Sequence, residues 1–272
     1  MWKSQQLGGY NGFAELTSRP EVWLMYMTEQ PVQFTIERKR IFGNFGLPRP
    51  GVPCVILSHG LESSKDGDKW LVLANRLYDA GIACLRFSYR GCGEGPEKSE
   101  GEFEDTTLSA RIEDFGAAVE YVGRTGVDMK RLGVIGSSFG GMVALAAGAA
   151  AKAMVVMATP CGPTGEMGEL LSRYRNGEFY ELPSGRRLKV DIGRDLRQYD
   201  LHLAAARIRC PLLILHGSHD ETVPVGAAYE LYARAREPKR LEIVSGGNHS
   251  FDDPDHLRHA VDVTLEWFKQ YL

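Results

Sequence analysis

The chain has 272 residues, 43% of them hydrophobic and 25% charged, which is ordinary globular usage and supplies apolar material for one large core with room for a modest insertion. A formal net charge of -3 gives no electrostatic reason to expect a nucleic-acid partner. The five cysteines (Cys54, Cys84, Cys92, Cys161 and Cys210) form an odd set without a close C-x-x-C pair; Cys54, Cys84 and Cys210 sit in or beside apolar runs and read as small core residues, not a disulfide framework.

The first residues, Met-Trp-Lys-Ser-Gln-Gln, lack the apolar run of a secretory signal. The longest apolar stretch, 142–158, is split by Lys152 and is too short and rich in Ala and Gly to span a bilayer. A soluble, cytoplasmic protein without a membrane partner is the expectation, with a homodimer left open.

Residues 32–41 alternate and precede a Gly/Pro-rich turn, predicting an antiparallel start to a sheet. From residue 52 onward short β-rich runs alternate with longer helix-period segments, the pattern of βαβ units and a parallel sheet. In order these are a strand at 54–58, a helix at 69–80, a strand at 82–87, a helix at 108–124, a strand at 132–135, a helix at 139–150 and a strand at 153–157. In the second helix Leu108, Ile112, Phe115, Val119 and Val122 recur at steps of three and four, as a one-sided helix requires. The rhythm then breaks: 160–209 holds no long apolar strand and is too long for an ordinary connection. Residues 179–182 and 188–192 around Pro183-Ser184-Gly185 predict a hairpin, flanked by helix-like pieces at 166–174 and 195–206. The rhythm resumes with a strand at 212–215, a helix at 225–235, a strand at 241–244 and a helix at 255–272. The expected fold is therefore α/β, a mostly parallel central sheet flanked by helices, with 1–159 and 210–272 as core and 160–209 as a small inserted cap.

Between the strand at 132–135 and the following helix stands Gly136-Ser137-Ser138-Phe139-Gly140-Gly141, a G-x-S-x-G match in strand–turn–helix context. Such an elbow exposes a strained serine at the sheet edge with a helix N-terminus behind it, where developing negative charge is favoured. The glycine spacing selects Ser138 over Ser137. A serine hydroxyl is a poor nucleophile until a base takes its proton, and His249, in Gly246-Gly247-Asn248-His249, follows the last strand as that base should. His202, His256 and His259 fall in polar helical contexts, and His216 reads as a packed, hydrogen-bonded residue. The orienting acid is Asp220, after the strand at 212–215, with Glu221 the nearest alternative. Two N–H donors must meet the tetrahedral oxyanion: that of Phe139, after the nucleophile, and that of Leu61, in the loop His59-Gly60-Leu61. No cofactor or metal is expected; a metal site from His216, His219, Asp220 and His249 would leave the elbow unexplained.

Taken together, His59-Gly60, Phe87-Ser88-Tyr89-Arg90-Gly91-Cys92-Gly93, the elbow at Ser138, His216-Gly217 with Asp220, and Asn248-His249 resemble the α/β-hydrolase superfamily from residue 31 onward. Within it the chain is similar to bacterial carboxylesterases of the cinnamoyl and feruloyl type, close to serine-aminopeptidase-like and lysophospholipase-like groups. It departs at Cys92, where His or Phe is common, and at Glu94, where Ser often follows. The resemblance implies hydrolysis of a small-molecule carboxylic ester through an acyl-enzyme, with peptidase, thioesterase and acyltransferase chemistry open on the same residues. Met167, Tyr174, Phe179 and Tyr180 are the candidate substrate-binding residues of the cap; a cap core made of the same side chains is the competing expectation.

Overall fold

Successive side chains of a strand point to opposite faces, so an unbroken apolar run requires cover on both. The computed structural model describes residues 29–148, 150–161 and 175–272, and provides that cover with helices on each face of one eight-stranded sheet. Its elements are β1 (Glu29–Ile36), β2 (Lys39–Gly46), β3 (Cys54–Ser58), α1 (Asp68–Asp79), β4 (Ala83–Phe87), α2 (Leu108–Val122), β5 (Leu132–Ser137), α3 (Phe139–Ala147) and β6 (Ala153–Met157). Then come β7 (Arg175–Asn176), β8 (Phe179–Glu181), β9 (Arg187–Lys189), α4 (Asp191–Leu196), α5 (Leu201–Arg207), β10 (Leu212–Gly217), α6 (Gly226–Arg234), β11 (Lys239–Val244) and α7 (Pro254–Tyr271).

The spatial order is β1-β2-β4-β3-β5-β6-β10-β11. β2 runs antiparallel to both β1 and β4, and every pairing from β4 to β11 is parallel. The pleat divides the core. Ile56, Leu85, Val134, Val156 and Ile214 pack with α2, α3 and α6 through Phe115, Met142 and Leu231. Val55, Leu57, Ile135, Val155 and Leu213 face the other way, onto Trp70 and Leu73 of α1 and Val261 and Phe268 of α7. The expected α/β architecture is the observed one.

The antiparallel start expected at 32–41 is present, as the end of β1 and the start of β2, which turn about Glu37 and Arg38 at φ 46° and 65°. Positive φ at both turn positions is the tight hairpin geometry that Asn-Gly usually announces, and no such pair marks it here. The segment 195–206 is interrupted: α4 ends at Leu196, and α5 restarts where the Asp200 carboxylate accepts the N–H of Leu203 at 2.9 Å.

The hairpin around Pro183 is present as β8 and β9, with β7 as a third antiparallel strand. Its Tyr180, Leu182 and Leu188 share one apolar cluster with α2 and α3, and its outer edge is tied down by ion pairs from Arg187 to Glu104 (3.2 Å) and from Lys189 to Asp105. The helix expected at 166–174 lies outside the described residues. All five cysteines are free, and among the described residues no helix is long and apolar enough to cross a membrane.

Candidate active site

Strand register sets the site. β5 pairs Gly136 with Ser58 of β3 and Ser137 with Met157 of β6, and Ser138 follows at the sheet's edge as the N-cap of α3. Its backbone, φ 55° and ψ -121°, is one that an L-residue holds only under constraint. The constraint is close packing: a Cβ on Gly136 would strike the Gly140 carbonyl, and one on Gly140 would strike the Ser58 carbonyl. Ser138 N–H is held by Met157 O at 2.8 Å, and Ser58 Oγ donates to Gly140 O at 2.9 Å. Glycine at 136 and 140 is thus what lets the turn close.

The loops after β10 and β11 supply the other members. His249 Nε2 lies 3.1 Å from Ser138 Oγ, and its Nδ1 lies 3.0 and 2.9 Å from the two oxygens of Asp220. The Asp220 side chain is fully buried and that of His249 is 18% exposed. Burial alone would push the carboxyl's pKa up, but hydrogen bonds from His216, His249 and the Val223 N–H outweigh it and hold the group well below the ordinary aspartate range. The two loops brace each other: His219 N–H donates to Gly247 O, and Gly246 N–H to Ser218 Oγ, both at 2.9 Å. Ser138, His249 and Asp220 are therefore brought together in one hydrogen-bonded line of hydroxyl, imidazole and carboxylate.

Gly60 sits against Ser138: a Cβ on it would lie 3.5 Å from Ser138 Cβ. His59 is buried, donates from Nδ1 to Gly60 O at 2.7 Å and accepts the Tyr89 N–H at Nε2 at 3.1 Å. Burial, reinforced by the Arg111 charge, pushes its pKa well down, so it is a neutral strut for the loop. Leu61 follows Gly60 in that loop, and Phe139 follows Ser138 as the first residue of α3.

Of the substrate-binding candidates, Tyr180 and Phe179 lie in β8 and point to opposite faces. Tyr180 is buried, its hydroxyl against Gly193, in the packing shared with Leu182 and Leu188. Phe179 points to the hairpin's other face, where the Arg187 guanidinium covers its ring at 4.5 Å. The alternation of a strand forces this split, since adjacent residues cannot line one wall. Met167 and Tyr174 lie outside the described residues.

His216, expected to be packed and hydrogen-bonded, is both: it is buried, and its Nε2 reaches Asp220 Oδ2 at 3.1 Å and Val223 O at 2.9 Å, which helps clamp the acid from inside the sheet. One contributor is unmarked in the sequence. Lys69, in the first turn of α1, donates from Nζ to Ser137 Oγ at 2.8 Å; burial lowers its pKa to about 8 against the opposing pull of Asp252 and Asp220. Nothing in its sequence context marks it. Among the described residues one group, Cys161, His202 and Glu230, brings three metal-ligating atoms within 4.8 Å of one another, and there His202 Nε2 already pairs with Glu230 at 2.9 Å.

A family model described as the prolyl oligopeptidase family matches residues 72–272. Among curated proteins, the chain is 31% identical over 224 residues to the uncharacterized protein Rv2307c of Mycobacterium tuberculosis, covering 81% of this chain and 69% of that one. It is 29% identical over 234 residues to "Putative esterase YitV" of Bacillus subtilis, covering 81% and 90%. Among solved structures it is similar to Est1E from Butyrivibrio proteoclasticus with ferulic acid bound, with TM-score 0.77, 21% identity and coverage of 88% and 98%. It is also similar to the esterase domain of a Rhodothermus marinus protein, with TM-score 0.68, 24% identity and coverage of 89% and 99%.

Proposed function

Since this chain belongs to the prolyl oligopeptidase family and has the α/β-hydrolase fold, we propose that it hydrolyses carboxylic esters through an acyl-enzyme on Ser138. The observation that carries this reading is the unbroken hydrogen-bonded line from Ser138 Oγ through His249 to Asp220, with the serine in a strained elbow. In the first step Ser138 Oγ attacks the ester carbonyl, His249 Nε2 takes the hydroxyl proton, and the carbonyl electron pair becomes an oxyanion facing the N–H groups of Leu61 and Phe139. His249 returns the proton to the departing alcohol. Water then repeats the sequence on the acyl-enzyme and frees the acid. Asp220 stays ionised throughout, orienting the ring and stabilising the imidazolium.

Ester cleavage is favoured by the likeness to YitV and by the greater ease of the chemistry, since an alkoxide leaves without the full protonation an amide nitrogen needs. The family model favours a second reading, a peptidase on the same residues. A panel of p-nitrophenyl esters of rising chain length, methyl ferulate and an aminoacyl anilide distinguishes them. The ester reading expects turnover of the esters, with anilide turnover at least about 10²-fold lower in kcat/KM; faster cleavage of the anilide would overturn it.

A further inference from the structure

Arg111 stands in the apolar stripe of α2, in line with Leu108, Phe115 and Val122, and is 2% exposed. A guanidinium keeps its charge, so burying one demands compensation, usually a carboxylate. The nearby buried acid, Asp114, is committed elsewhere: Arg90 Nε lies 2.6 Å from its Oδ1, and the Arg90 N–H donates to its Oδ2 at 3.0 Å. Arg111 forms no ion pair among the described residues. Its partners are instead neutral: Nη1 donates to Gly60 O at 3.0 Å, and Nη2 to Leu61 O at 2.7 Å and to Cys92 Sγ at 3.4 Å, the two carbonyls belonging to the loop beside Ser138. Its faces are covered by the rings of Tyr89 at 4.7 Å and Phe139 at 5.0 Å.

A trans peptide holds its carbonyl and its N–H on opposite sides of the chain. With the Gly60 carbonyl gripped by Arg111, the Leu61 N–H is fixed pointing away from it. The same guanidinium rests on Phe139, whose N–H is the second donor. One buried cation therefore ties together the two segments that would receive a negative charge formed on the substrate.

We propose that Arg111 is the positioning residue of the oxyanion hole: it locks peptides 60–61 and 61–62 by their carbonyls and Phe139 by its ring, so that both N–H donors are set before the oxyanion forms. This rests on the reading of Ser138 as nucleophile. Without the cation the Gly60 carbonyl keeps, among the described residues, only His59 Nδ1, at 2.7 Å, and the Leu61 carbonyl loses its guanidinium donor. The Leu61 N–H is then less firmly aimed, a change felt only when charge develops.

The test compares wild type, Arg111→Met and Arg111→Lys with two ligands of one shape: an alkyl trifluoromethyl ketone, which Ser138 converts to an oxyanion-bearing hemiketal, and the matching secondary alcohol, which it cannot attack. In Arg111→Met, kcat for a p-nitrophenyl ester should fall about 10²–10³-fold, the size of one lost oxyanion donor, with KM within about threefold. Ketone affinity should fall by the same factor and alcohol affinity should hold. Arg111→Lys keeps the charge but reaches one carbonyl, so its ketone-to-alcohol affinity ratio should drop about tenfold; if Arg111→Met does not fold, this ratio decides. Equal losses for ketone and alcohol, or an unchanged ratio in Arg111→Lys, would overturn the role of Arg111 while fluorophosphonate labelling of Ser138 still upheld the hydrolase reading. An unlabelled, inactive wild type would remove that reading and this inference with it.

Discussion

Replacing Asp220 by asparagine changes one atom, and the geometry dictates which way the amide must lie. Asp220 Oδ1 accepts two backbone N–H groups, from Thr222 at 2.9 Å and Val223 at 2.7 Å. Only the carbonyl oxygen of an asparagine fits there, so its NH2 takes the place of Oδ2, 2.9 Å from His249 Nδ1 and 3.1 Å from His216 Nε2. A donor now faces each ring. His249 could keep Nδ1–H only on the remaining Oδ1, 3.0 Å away and already accepting two backbone N–H groups; moving the proton to Nε2, the nitrogen 3.1 Å from Ser138 Oγ, lets Nδ1 accept from the new NH2 instead. The base then presents a proton where it must accept one. Loss of the working tautomer is worth about 10⁴ in kcat, or roughly 5.5 kcal/mol of transition-state stabilisation. Steady-state hydrolysis of p-nitrophenyl butyrate by Asp220→Asn, with Tm measured alongside, reads this directly. The exposed neighbour gives the control: Glu221→Gln should change kcat less than about twofold. A loss under tenfold in a normally melting Asp220→Asn protein would refute the reasoning, and a larger loss at Glu221 would move the acid there.

Ser138→Ala should stay folded and retain only the roughly 10³–10⁴-fold advantage over water that binding and the oxyanion hole provide; mass spectrometry should find a phosphonate label on Ser138 in wild type, and a label on Ser137 would unseat the elbow. Lys69 has a folded pKa of about 8 against about 10.4 in an unfolded chain. The folded state thus binds fewer protons between those values, and stability at this position rises with pH across that window. The Tm difference between wild type and Lys69→Met should shift in favour of wild type from pH 8 to about 10.4; a constant difference would contradict the depressed lysine. Tyr180→Ala removes a buried ring and should cost about 3 kcal/mol in urea unfolding, while Phe179→Ala, on the hairpin's outer face, should cost less than half of that. The reverse ranking would show that the faces of β8 are misread.

How far the sequence could be read depended on where physical signals were unmixed. β3, β6 and β10 are unbroken apolar runs between turn residues, and their predicted bounds lie within two residues of the observed ones. Ser138, His249 and Asp220 were legible because each follows a recognisable strand and the elbow leaves a glycine spacing that packing requires. The turn joining β1 to β2 was not, because Glu37-Arg38 takes a conformation that its residue types rarely advertise. Arg111 was missed for an opposite reason. The helical stripe was drawn through Ile112 and Val119, apolar but only partly buried, whereas α2 turns Arg111 and Ala118 inward. Charge in a helix reads as solvent-facing until the carbonyls that receive it are known, and those lie about fifty residues away. His216 posed a milder version, since a packed histidine can be told from a clamping one only by its partner.

The nucleophile and its base stand 111 residues apart, and between β5 and β11 the sheet must add β6 and β10 before they meet. α7 then closes over α1, where Arg76 and Asp262 pair at 2.7 Å. During synthesis the serine loop leaves the ribosome well before the His249 imidazole can reach it, so the nascent chain carries a serine without its partner base. In refolding, the same non-local closure places catalysis after helix and strand formation. Turnover of a chromogenic ester should therefore lag the far-UV circular dichroism signal, making the protein's own activity the timer of its last long-range contacts.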